Sequence, residues 1–124
     1  MSDIRQYTVS AGSTDTFGRV MCSARNHHVV IDGPIENGCP GEAMTPGEMF
    51  LASVAACGVE LVQVIAKQEN VAVGDVRVKV WGMIDRANPV RPDKMVFNKV
   101  TLDFELSGVD REKAMQLVES FKGR

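Results

Sequence analysis

The 124-residue chain has no Lys/Arg cluster, no Cys-x-x-Cys pair, no Lys-Ser/Thr phosphate loop and no basic-then-apolar leader. Each absence removes a class of function. Lys and Arg number 14 against 16 Asp and Glu, a formal net charge of −2. Nothing in that balance would hold a phosphate backbone, so nucleic-acid binding is not expected. The start MSDIRQYTV lacks the layout of a signal peptide. The longest apolar stretch, Met49 to Val59, is short for a bilayer span, so no membrane association is expected. The three cysteines are Cys22, Cys39 and Cys57. None sits at zinc-ligand spacing from a histidine. A sparse, odd count without a secretion signal implies reduced thiols rather than a disulfide framework. GCPGEAMTPG, residues 38 to 47, lacks the ending of a phosphate loop. With no nucleotide, metal or triad signature, no cofactor and no metal are expected. The expectation is a cytoplasmic protein.

What is present reads as one domain over residues 1–124, with no repeat, linker or low-complexity segment. Ile4 to Ala11, Gly18 to Ser23 and His28 to Asp32 read as strands of an antiparallel meander. GPIENGCPGEAM, 33 to 44, is a Gly/Pro loop. Its end opens a helix: Thr45 suits the N-cap, Pro46 the first helical position, and Glu48 falls three after the Thr, which makes a capping box. The helix should run to Gln68, with Glu69-Asn70 closing it. Valines then alternate through Val76–Trp81, and apolar residues alternate through Val100–Leu106. ANPVRPDK, 87 to 94, is a loop between these strands. A last helix opens at the N-cap Asp110, with Ala114, Leu117, Val118 and Phe121 as its apolar stripe. The order is β-β-β-α-β-β-α. The fold class is α+β, an antiparallel β-sheet packed on a long central helix.

The central helix carries the first clue to assembly. At about 24 residues it is roughly 36 Å long, close to the diameter of a globule this size. From Met49 to Val59 it is apolar on nearly every face except at Ser53, and such a helix must be covered all round. One small sheet covers one side. A second copy of the chain is the simplest cover for the other.

Cys57 lies in the middle of that helix. A thiol there reads either as core packing, the common fate of free cysteine, or as a nucleophile with a path to solvent. The helix dipole does little at mid-helix. The neighbours one turn away, Ser53 and Glu60, supply no positive charge. Activation therefore requires a cation from elsewhere in the fold or from a partner chain. Glu48 has a structural reading as the capping-box acid. It is 2.5 turns from Cys57, so the two side chains point to opposite sides of a straight helix. They serve one site only if the helix bends, and otherwise serve two sites related by symmetry. The basic candidates are Arg19, Arg25, His27 and His28. Arg19 follows Gly18 near the GSTD turn, where a solvated strand end is the bland alternative. His27 and His28 face opposite sides of a strand, so one is expected to point inward. Cys39 is expected to be exposed in its loop and Cys22 packed in its strand. Either could resolve an oxidised Cys57.

TPGEMFLASVAAC, residues 45 to 57, resembles the start of the central helix in OsmC/Ohr-type proteins, whose motif is Pro, a Glu one or two places on, and a Leu/Ala-rich stretch ending in Cys. HHVVIDGP, VRVKVWG, VFNKVTLDFELSG and VDREKAMQLVESF are similar in order to the elements around it, so the resemblance covers nearly the whole chain. It implies an intertwined homodimer with two long central helices at its core. It also implies a thiol peroxidase that reduces organic hydroperoxides, in oxidative and osmotic stress defence. In that chemistry a helix cysteine becomes a sulfenic acid and a dithiol reductant resets it. On this match Cys57 is the attacking cysteine; Glu48 is the candidate supporting carboxylate and Arg19 a candidate cation.

Three departures from the family pattern stand out. Gly47 follows Pro46 where many relatives have the Glu, as in the OsmC-like branch. Thr16 falls where the peroxidases carry their Arg, with Arg19 three residues on. The family's second cysteine follows the last helix, beyond Phe121-Lys122-Gly123-Arg124. Its absence implies a truncated sequence or a role for Cys39, Cys22 or an external thiol. The rival expectation is a non-enzymatic dimer of the same fold that binds a small apolar molecule or a protein partner.

Overall fold

A computed structural model of the chain describes residues 3–94 and 96–123. The element order is β1 (Ser10–Ser13), β2 (Arg19–Ala24), β3 (His27–Asp32), a single 3-10 turn (Ile35–Asn37), α1 (Pro46–Gln68), β4 (Val76–Met83), β5 (Lys99–Leu106) and α2 (Arg111–Lys122). This is the predicted α+β order. The antiparallel strands divide between two sheets, β1-β2-β3 and β4-β5. The chain forms two compact units, Met1–Phe50 and Leu51–Arg124.

In the first unit, β2 and β3 form a hairpin closed by Arg25-Asn26, with Arg25 at φ 57. The first strand lies later than its β-formers predict. β1 pairs Ser10 with Ser23 and Ser13 with Val20. Residues before Val9 would pair beyond Ala24, where the chain has already turned. Ile4, Tyr7 and Val9 are accordingly exposed.

α1 begins as its sequence dictates. The Thr45 N–H donates to Glu48 Oε1 at 2.9 Å, and the Glu48 N–H donates to Thr45 Oγ1 at 3.3 Å, the reciprocal capping box. It ends in a Schellman motif. Asn70 adopts φ 56, its N–H donates to the Lys67 carbonyl, and the Val71 N–H reaches back to the Ala66 carbonyl at 2.8 Å. Val71 then packs on the core.

In the second unit, the alternating valines and leucines put Val76, Val78 and Val80 opposite Leu106, Phe104 and Leu102 on one face. Arg77 and Lys79 stand opposite Glu105 and Asp103 on the other. The buried hydrophobic residues among those described are Val62, Ile65, Ala66 and Leu117, with Phe104 and Phe121 packed on them and on each other at 5.4 Å between ring centroids. Gly58 lets α1 approach β4 and β5: a Cβ there would lie 3.3 Å from Phe104 and 3.4 Å from Val78. Asp110 caps α2, accepting the Lys113 N–H at 2.8 Å.

The buried residues of α1 are Gly58, Val62, Ile65 and Ala66, a single stripe in its second half. Between Pro46 and Cys57 none is buried. The apolar character also extends further than Met49–Val59. An 18-residue window of α1 has mean hydropathy 2.0, long and apolar enough by composition to cross a membrane, with 22% of that window buried. Capped start, Schellman end and one face on the Val62 core are those of a helix in a folded domain; outside that face its own chain covers it only in part, and Phe50, Ser53, Cys57 and Glu60 stay exposed.

Candidate functional site

The hairpin register sets the first cluster. Five residues out from the Ala24–His27 pair on each strand, Arg19 stands directly opposite Asp32. Arg19 Nε donates to Asp32 Oδ1 at 2.8 Å and Nη2 donates to Oδ2 at 2.8 Å, a two-point grip matched to the planar guanidinium. Nη2 also donates to Glu42 Oε1 at 3.0 Å. Asp32 is fully buried. Its Oδ2 further accepts the N–H of Glu42 at 2.9 Å and of Ala43 at 3.1 Å. The Asp32 N–H in turn donates to the Met44 carbonyl. One carboxylate thus ties β2, β3 and the segment before α1 together. These donors decide its charge: the Arg19 N–H groups, foremost, and the two backbone N–H groups hold its pKa at about 2 against the opposing effect of burial. Arg19 is raised correspondingly, first by Asp32 and then by Glu42.

Glu48 is held by the capping box. Its pKa is lowered, first by the Thr45 backbone N–H and then by the Thr45 hydroxyl. Arg19, Asp32, Glu42 and Glu48 all belong to the first unit, and Cys57 to the second.

Cys57 is exposed. Its successor Gly58 is the residue turned toward Phe104 and Val78, and one residue along a helix is a rotation of about 100°. The thiol therefore escapes the core stripe, and the packing reading of this cysteine does not hold within its own chain. Ser53 and Glu60, one turn away, are also exposed.

The remaining candidates differ from expectation. Cys39 is half-buried rather than exposed. Its side chain lies against Gly18 and Gly33, so a Cβ at either glycine would collide with its sulfur. Cys22 is half-buried in β2. Neither histidine points inward: His27 and His28 are both exposed, because both faces of this hairpin tip are open. His28 Nδ1 meets the Ser23 hydroxyl at 2.7 Å across the strands. Arg25 occupies the turn. Among the described residues no group of three or more His, Cys, Asp or Glu is placed to hold a metal ion. Asp32 is the residue that sequence reading missed; the Arg25-Asn26 turn, counted outward along both strands, was the signal that pairs it with Arg19.

A separate cleft of about 370 Å³ runs between β5 and α2. Leu102, Phe104, Leu106 and Val118 make its apolar wall, and Arg111 and Glu119 its charged rim.

Comparison with known proteins returns a family model, OsmC-like protein, matching residues 39–124. No match is found among curated proteins. Several solved structures share the fold. An OsmC-like protein from Mycoplasma pneumoniae superposes with TM-score 0.81 at 15% identity, over 97% of this chain and 82% of that one. An organic hydroperoxide resistance protein OsmC from Legionella pneumophila gives TM-score 0.69 at 22% identity, covering 97% and 84%. The organic hydroperoxide resistance protein OhrB of Bacillus subtilis gives 0.61 at 25% identity, covering 94% and 83%. With a family model spanning more than half of the chain and a fold shared with these structures, the protein belongs to the OsmC-like family.

Proposed function

We propose that this protein is a thiol-dependent peroxidase that reduces organic hydroperoxides, with Cys57 as the nucleophile. The observation that carries the reading is the exposure of the Cys57 thiol on the most apolar helix of the chain. An apolar surface around a thiol suits the carbon skeleton of an organic hydroperoxide better than hydrogen peroxide. Relatives described as organic hydroperoxide resistance proteins support the substrate class.

In the reaction the Cys57 thiolate attacks the distal peroxide oxygen. An S–O bond forms, the O–O bond breaks, and the alcohol leaves with one proton. Cys57 is oxidised by two electrons to a sulfenic acid. The first thiol of a dithiol reductant condenses with it and releases water. The second displaces the Cys57 thiolate and closes the reductant's own disulfide. Arg19 supplies the cation for the peroxide oxygen and Glu48 the supporting carboxylate. The working form is a homodimer in the reducing cytoplasm, in which a second chain covers the open faces of α1.

The test is hydroperoxide consumption with excess dithiothreitol. Wild type turns over cumene hydroperoxide, and Cys57→Ser loses turnover while Cys39→Ser and Cys22→Ser keep it. Full turnover in Cys57→Ser sinks the reading. The apolar cleft between β5 and α2 favours a second reading, a dimer that binds a small apolar molecule without chemistry. An apolar fluorophore displaced from wild type and not from Val118→Glu, with no turnover, would select it.

A further inference from the structure

We propose that Asp32 is a positioning residue for Arg19, fixing which edge of the guanidinium meets the peroxide and locking that orientation to the start of α1. The inference rests on the peroxidase reading and on Arg19 serving it. Its own support is geometric. Asp32 lies wholly out of solvent and takes its side-chain donors from two separate segments: Arg19 at the start of β2, and Glu42 and Ala43 just before the capping box. A buried carboxylate needs donors for its lone pairs as well as a charge partner. This one grips Nε and Nη2 together, and that grip fixes the plane and rotation of the guanidinium. Nη1 takes no part in it, so the N–H groups there are the ones presented to an incoming oxygen. The Arg19 side chain is 30% exposed, while that of Asp32 has no access to solvent. Glu42 shares Nη2 but is 76% exposed, a partner that can let go without disturbing the Asp32 grip. Because Oδ2 also binds the Glu42 and Ala43 N–H groups, a shift of the segment leading into α1 moves the carboxylate, and the carboxylate moves Arg19.

Asp32→Asn is the direct test, since its amide nitrogen puts a donor where one of the oxygens accepts. In the folded variant, kcat/KM for cumene hydroperoxide should fall roughly tenfold to a hundredfold, as when a supporting partner of a functional group is lost. Arg19→Met should fall at least as far, and the double variant no further than Arg19→Met, because Asp32 acts only through Arg19. The Arg19 Nε–H should be visible by NMR as a slowly exchanging signal in wild type and lost in Asp32→Asn. Where Asp32→Asn fails to fold, Arg19→Lys reads the same property: it keeps the charge and loses the two-point grip, and kcat/KM should again drop by about ten or more. Wild-type kcat/KM in folded Asp32→Asn or in Arg19→Lys overturns the proposal, as do single effects that multiply in the double variant or a rapidly exchanging wild-type Nε–H. In those cases the peroxidase reading stands, because Cys57→Ser still abolishes turnover. A wild-type protein without turnover overturns the peroxidase reading, and the proposal with it.

Discussion

Three side chains decide most of the chemistry at the residue scale. Asp32 is held ionised by its donors, so the sign of its pH dependence is fixed. Its pKa lies below the ordinary 3.8, at about 2, so the folded state gains from it at all pH values above 3.8. That gain is lost as pH falls from about 4 toward about 2, where the carboxylate protonates in the fold. Melting curves of wild type and Asp32→Asn should therefore differ most near neutral pH and converge toward about pH 2. A gap that stays constant or widens in acid would contradict the ion pair. Cys39 packs where no larger neighbour fits. Gly18, at φ 80, would need both a left-handed alanine and a displaced Cys39, so Gly18→Ala should lower stability by about 1 kcal/mol or more in denaturant titrations. The exposure of Cys57 was not legible in the sequence. Free cysteines in apolar helices are commonly buried, and only the direction of the Gly58 stripe reveals that the residue before it faces outward.

The elements were the most legible part, for local reasons. Thr45 and Glu48 mark the start of α1, and Asp110 the start of α2, because a helix leaves N–H groups that short polar side chains satisfy. Alternation in Val76–Trp81 and Val100–Leu106 identifies a half-buried pair of strands. β1 lies later than its β-formers predict because its bounds follow from the reach of β2 rather than from its own propensity. Ile4, Tyr7 and Val9 are good strand formers that lie before the β1–β2 ladder, which begins at Ser10. The division into two sheets was equally hidden, since strand order depends on long-range pairing. At this scale Thr45→Ala should cost about 1 kcal/mol, the usual worth of an N-cap. Gly58→Val should cost about 1–3 kcal/mol, because its side chain meets Phe104 and Val78 in a packed contact. A neutral Gly58→Val would mean that α1 and the β4–β5 sheet do not pack as described.

For the whole molecule, the open faces of α1 are the dominant fact. The sequence already required cover on every side of Met49–Val59, and the first half of the helix has no buried residue within its own chain. Phe50, at 55% exposed, lies on it. Exposed apolar surface of this extent on a helix marks an interface. Light scattering after size exclusion should give twice the 13.5 kDa chain mass, and Phe50→Glu should shift the population toward the monomer and lower peroxide turnover with it. A wild-type monomer at micromolar concentration would leave the helix uncovered and contradict the assembly proposed here.

The most direct measurement is the fate of the three thiols after one equivalent of cumene hydroperoxide, quenched with acid, trapped with dimedone and read by peptide mass spectrometry. The account predicts that Cys57 acquires the oxygen within seconds, ahead of Cys22 and Cys39. Cys57 unmodified after minutes while Cys39 or Cys22 reacts would contradict it.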